Sequence, residues 1–212
     1  TGRLRRAFLR PVTEKEVAAR LESFRDEGVF TVDLGLRGYL ASMAGKYEEA
    51  AQWLEKAVQA KPGGAWERNE YGAVLARMNR LEEAIAQFEA AMRIDPAYGP
   101  TMWASHGNLL RRLGKSAESI GSFQEAMKHW PDHVEVQVGF VGALIETGQL
   151  DQALELSARA VEQHPDDADA FVWRAAALAR AGKKEEAVAA LNKALELDSA
   201  NEDAKRLLNE FK

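Results

Sequence analysis

The chain has 212 residues, no cysteine, and a net charge of −5 from 28 Lys and Arg against 33 Asp and Glu. Hydrophobic residues make up 46% of it, enough to bury a core. The acidic balance excludes a general nucleic-acid binder, and the missing thiols exclude disulfides, thiolate metal sites and cysteine nucleophiles.

In chain order, residues 1–12 come first as a basic segment. Arg3, Arg5, Arg6 and Arg10 are interleaved there with Leu4, Phe8 and Leu9. Such a stretch suits an anionic lipid surface or a protein partner, and equally a free tail. Residue 1 is Thr, so an upstream anchor or a removed leader stays open. Thr13 and Glu16 then form a capping box. They predict an N-terminal capping helix over 13–30, through Val17, Leu21 and Phe24 to Gly28.

Beyond it the chain repeats. Pro62, Pro96, Pro131 and Pro165 are spaced by 34, 35 and 34 residues. Gly45, Asn79, Gly114, Gly148 and Gly182 form a second column, and Ala57, Ala91, Ala126, Ala160 and Ala194 a third. A fourth reads Ala50, Ala84, Ser119, Ala153, Ala187. Self-similarity at this step marks stacked supersecondary units. Within a unit the apolar spacing is helical, as in Tyr71, Val74, Leu75 and Met78, then Leu81, Ile85, Phe88 and Met92. Gly or Asn between the two runs predicts a left-handed helix end, and Pro stops the second helix. Each unit is therefore a pair of antiparallel helices. Small residues at Gly38, Gly72, Gly107 and Ala175, with the Ala columns, allow the helices to approach to about 8–9 Å. Residues 202–212 predict a C-terminal capping helix.

On these columns the chain resembles the tetratricopeptide repeat proteins, in their bacterial form. The resemblance implies an all-α fold: a right-handed superhelical solenoid of antiparallel helix pairs. Units fit at 31–64, 65–98, 100–133, 134–167 and 168–201, which together span 31–201 with Gly99 inserted. Val141 replaces a small residue at the helix crossing, Ser157 an aromatic, and Ser119 an Ala, so looser packing is expected in units three and four.

Chemistry is sparse. Gly114-Lys115-Ser116 looks like the tail of a phosphate loop, but Leu109 stands where that loop needs Gly. Pro131 separates His129 from His133, and Asp166, Asp167 and Asp169 suit the start of a helix better than a cation. No nucleophile and base can be paired, so neither catalysis nor a cofactor nor a metal is expected.

The resemblance implies instead a concave wall lined by the first helix of each pair, meeting a protein or peptide. The matching places carry Tyr39, Trp66, Asn69, Arg77, Asn108, Arg111, Arg112, Trp173 and Arg180. The arginines recur at the end of the first helix. They read either as complements to the helix dipole or as a row that captures acidic side chains or a C-terminal carboxylate. The aromatics read as interface anchors or as packing between units. Gly139 and Gly142 inside one helix read as a flat patch for another backbone or as compensation for Val141. The chaperone-binding branch of the family is excluded, since units one to three place Gly35, Tyr39, Glu70, Thr101 and Ser105 where its clamp needs Lys, Asn and Arg.

The expected function is a non-enzymatic adaptor that binds a partner segment in the groove. The alternative is a structural or assembly subunit of a larger multiprotein complex, with its attachment to a membrane left open. A cytoplasmic setting is favoured over a periplasmic one, with membrane proximity open through residues 1–12. Oligomeric state is not fixed by the sequence.

Overall fold

The computed structural model describes residues 34–211. The basic segment 1–12 and the capping helix expected over 13–30 lie outside the described residues. Among the described residues there are eleven helices and no strand. The chain divides into two compact units, residues 1–98 and 99–212.

In the first unit lie α1 (Leu34–Met43), α2 (Tyr47–Ala60), α3 (Ala65–Arg77) and α4 (Leu81–Ile94). In the second lie α5 (Pro100–Arg112), α6 (Ser116–His129), α7 (Val134–Glu146), α8 (Leu150–Gln163), α9 (Ala168–Arg180), α10 (Lys184–Leu197) and α11 (Glu202–Asn209).

Every hairpin turn is built the same way. Gly45, Asn79, Gly114, Gly148 and Gly182 have φ of 74°, 60°, 74°, 77° and 77°. This left-handed residue lets two backward amides cap the helix it ends. In the α7–α8 turn the Gly148 amide donates to Ile145 at 3.1 Å, and the Gln149 amide donates to Leu144 at 2.8 Å. The other turns repeat this pattern, which satisfies carbonyls otherwise orphaned at a helix end. The residue before Pro131 and before Pro165 leaves the helical region, with Trp130 at φ −135°, ψ 62° and His164 at φ −126°, ψ 64°. Proline ring sterics impose that conformation and stop the second helix.

The alanine columns sit at the helix crossings. Ala84, Ala91, Ala126, Ala153, Ala187 and Ala194 are fully buried. Phe88 and Phe123 are buried beside them, and burying each contributes about 1.5–3 kcal/mol. Ser119 and Ser157 are buried too, their hydroxyls donating to the Ser116 carbonyl at 2.7 Å and the Leu154 carbonyl at 3.2 Å. Where Ser157 stands in place of an aromatic, Arg174 reaches across from α9. Its Nη1 donates to the Leu154 carbonyl at 2.7 Å and to Ser157 Oγ at 3.2 Å.

Core clusters bridge successive pairs in the second unit. Ala104, Phe123 and Val136 join α5, α6 and α7; Val141, Leu144, Ala153 and Ala177 join α7, α8 and α9; Val172, Leu191 and Ala204 join α9, α10 and α11. First helices touch one another in series there: α5 with α7, α7 with α9, α9 with α11. The second helices α6, α8 and α10 make no such contact among themselves. A layer packed tightly on one side and splayed on the other bends toward the packed side. Within this unit the first helices therefore line the inner face.

Candidate partner-binding face

In the first unit, Tyr39 of α1 and Trp66 of α3 form a tilted ring pair, with centroids 6.2 Å apart at 54°. Tyr39 is 37% exposed and Met43 on the same helix 41%. Asn69 donates through Nδ2 to Glu70 Oε1 at 3.0 Å. Burial pushes the Glu70 carboxyl above the usual range, and the Asn69 bond only partly opposes this. Arg77 ends α3, exposed, with its guanidinium 5.7 Å over the Tyr47 ring and a long 3.4 Å bond to the Tyr47 hydroxyl.

In the second unit the expected arginine row splits. Arg111 Nη2 donates to Glu146 Oε1 at 2.6 Å and its Nε to Oε2 at 3.1 Å. Nη1 donates to Asn108 Oδ1 at 3.2 Å, and the guanidinium lies 5.0 Å over the Trp173 ring. Ser116 adds a 2.6 Å bond to Glu146. Burial alone would raise the Glu146 carboxyl. The hydrogen bonds from Arg111 and Ser116, with the Arg111 charge, outweigh burial and hold it below the usual range. Arg111, Asn108 and Trp173 are thus brought together, but Arg111 is only 13% exposed through its side chain and serves the scaffold. Arg112 and Arg180, the last residues of α5 and α9, are exposed. Arg3, Arg5, Arg6 and Arg10 lie outside the described residues.

The glycines inside α7 are not open ground. A Cβ on Gly139 would strike the Phe123 ring, and one on Gly142 would strike the Arg111 guanidinium. Both are occupied by the protein's own side chains, so a flat patch for a partner backbone is not what they provide. The phosphate-loop lookalike is a hairpin turn, with Gly114 left-handed and Ser116 bonded to Glu146. Asp167 caps α9, accepting from the Ala170 amide at 2.9 Å. His106 is buried 2.8 Å from Ser122 Oγ, and His129 lies 3.7 Å from Glu125. Among the described residues no group of three His, Asp or Glu is placed to hold a metal ion. Nor is any described helix long and apolar enough to cross a membrane.

One feature went unread in the sequence. A pocket of about 240 Å³ opens between α9 and α11, lined by Asp169, Val172, Trp173, Ala176, Asp203, Arg206 and Leu207. Residues 202–212 read only as a cap, yet Asp203 and Leu207 stand 34 residues after Asp169 and Trp173. Counting one further step would have shown that α11 continues the wall.

None of the curated proteins matches the chain by sequence. Solved structures match it by fold. YrrB, described as "a TPR protein with an unusual peptide-binding site", is 22% identical, covers 93% of this chain and 100% of its own, and has a TM-score of 0.68. MamA from Desulfovibrio magneticus RS-1 is 15% identical, with 80% and 95% covered and a TM-score of 0.70. TTC0263 from Thermus thermophilus is 15% identical, with 84% and 96% covered and a TM-score of 0.66. At these identities the likeness establishes the fold, that of stacked helix pairs. The family model described as "Tetratricopeptide repeat" matches residues 41–109, 110–171 and 148–210. With the turn and alanine columns in place, the chain belongs to the tetratricopeptide repeat family.

Proposed function

We propose that the protein is a non-enzymatic adaptor whose first helices bind a segment of a partner protein. The observation that carries this reading is the inner face of the second unit. The exposed Arg180, the half-buried Trp173 and the pocket beside it all lie on first helices or on α11, which extends their layer. Aromatic side chains on such a face bury large areas at low entropy cost, and arginines add forked, charge-assisted contacts. The exposed Tyr39 beside Trp66 offers the same chemistry in the first unit. The peptide-binding site named for YrrB supports a peptide ligand on this scaffold.

Of the arginine row, the exposed Arg180 is the member offered to an acidic group of the partner, whereas Arg111 holds Glu146. The test is a pulldown from lysate with the full chain as bait, comparing wild type with Arg180→Glu and with Trp173→Ala. The expected result is partners lost from the variants while the Arg180→Glu melting curve stays unchanged. A partner set identical for all three proteins would retire the reading.

A further inference from the structure

We infer that the pocket between α9 and α11 receives an arginine side chain of the bound segment, held between Asp169 and Asp203. The inference rests on the adaptor reading and gives its ligand a chemistry.

The size fits one side chain: about 240 Å³ is too little for a folded surface and ample for a single residue. Its apolar lining, Val172, Trp173, Ala176 and Leu207, suits a hydrocarbon stem. Its polar members are two carboxylates and one guanidinium. Asp203 pairs with Arg206 at 2.8 Å, but both side chains are well exposed, at 69% and 64%, and stand only three residues apart. Pairs of this kind are weak, and Arg206 has a second acid, Glu210, at 3.8 Å. An incoming cation can therefore take Asp203 while Arg206 turns to Glu210. Asp169 accepts from a neutral donor, Asn201 Nδ2, at 3.0 Å.

Charge on a larger scale points the same way. Glu135, Asp169 and Asp203 occupy equivalent places on α7, α9 and α11, and all are exposed. Acidic and basic residues are equal in number over 1–98, so residues 99–212 carry the whole net charge of −5. A purely aliphatic side chain would leave two carboxylates desolvated against it, and a carboxylate would be repelled by them. Arginine is favoured over lysine because its planar fork addresses two carboxylates at once.

The experiment selects short random peptides from a display library on the immobilised full chain. An enriched peptide, synthesised with fluorescein, is then titrated by anisotropy. We expect enrichment of arginine beside apolar residues. Asp169→Asn and Asp203→Asn should each weaken binding about tenfold, and Arg→Gln in the peptide should do the same with little further loss in combination. The peptide change alters nothing in the protein's folding, so it stands as an independent check. Peptides that bind with unchanged affinity to both Asp variants, or that are enriched in acidic residues, would overturn this inference and leave the adaptor reading intact. A selection that enriches nothing would remove both.

Discussion

The guanidinium of Arg111 lies 5.0 Å over the indole of Trp173, although the two residues belong to α5 and α9, with α7 between them. The same guanidinium grips Glu146 of α7 with two hydrogen bonds. One side chain thus ties three consecutive first helices together on the inner face.

Replacing Arg111 with Ala is expected to destabilise the second unit by about 1 kcal/mol, because the mostly buried guanidinium loses its bonds to Glu146 and Asn108 while the exposed Glu146 carboxylate returns to water. Lysine should restore only part, because it keeps the charge but not the fork or the stacking. Urea unfolding followed by circular dichroism measures both. Arg111→Ala as stable as wild type would show that the pair contributes nothing. The dependence also makes Arg111 a poor probe of partner binding, since scaffold and contact would be lost together.

Acid should weaken the same contact. The native Glu146 carboxyl lies below its ordinary range, so the folded state binds a proton less readily than the unfolded one. The stabilisation is complete above the ordinary glutamate pKa of about 4.3 and disappears as pH falls through the lowered native value. Wild type should exceed Glu146→Gln in urea midpoint at about pH 6, and the gap should narrow steadily as pH falls below about 4. A gap that persists in acid would contradict the assignment.

Glu70 should show the opposite slope. Burial raises its carboxyl, so its charge opposes folding at neutral pH, and the penalty fades as the group protonates in the folded state. Glu70→Gln is expected to raise the thermal midpoint at neutral pH, with the gain shrinking on acidification. A midpoint lowered at neutral pH would show that the Asn69 bond to the carboxylate outweighs its desolvation.

The glycines separate three physical reasons for one residue type. Gly121, on the exposed side of α6, has nothing within 4 Å of an added Cβ, so Gly121→Ala should stabilise by about 1 kcal/mol. Gly148 is as open but has φ of 77°, so Ala there should cost about 1–2 kcal/mol. Gly142→Ala meets Arg111 and should destabilise despite the better helix propensity. Urea midpoints rank the three, and Gly142→Ala more stable than wild type would mean that Arg111 moves aside freely.

What the sequence disclosed and what it hid follow from distance along the chain. The turn at Gly148 and the stop at Pro165 are local, set by φ and by ring sterics, and both stand in the amino-acid order. Ala126 and Ala160 declare themselves by recurrence, because each crossing needs the same absent volume. Arg111 with Glu146 does not recur. It joins two residues 35 positions apart, one step and one residue, and nothing in either residue shows that its partner faces it. Arg174 covering Ser157 is of the same kind: the sequence showed a missing aromatic but not the guanidinium that answers it. The pocket was hidden because residues 202–212 read as a cap and not as the first helix of a further unit.

The tip of the Phe123 ring lies against both Gly107 of α5 and Gly139 of α7, with Phe140 stacked 6.0 Å away. Positions 107, 123 and 139 therefore share a single volume. A methyl gained at either glycine is tolerable only when the ring at 123 shrinks, and a smaller residue at 123 invites a methyl in return. Among descendants of this chain the three sites should drift as a covarying trio, each substitution permitted by the history of the other two.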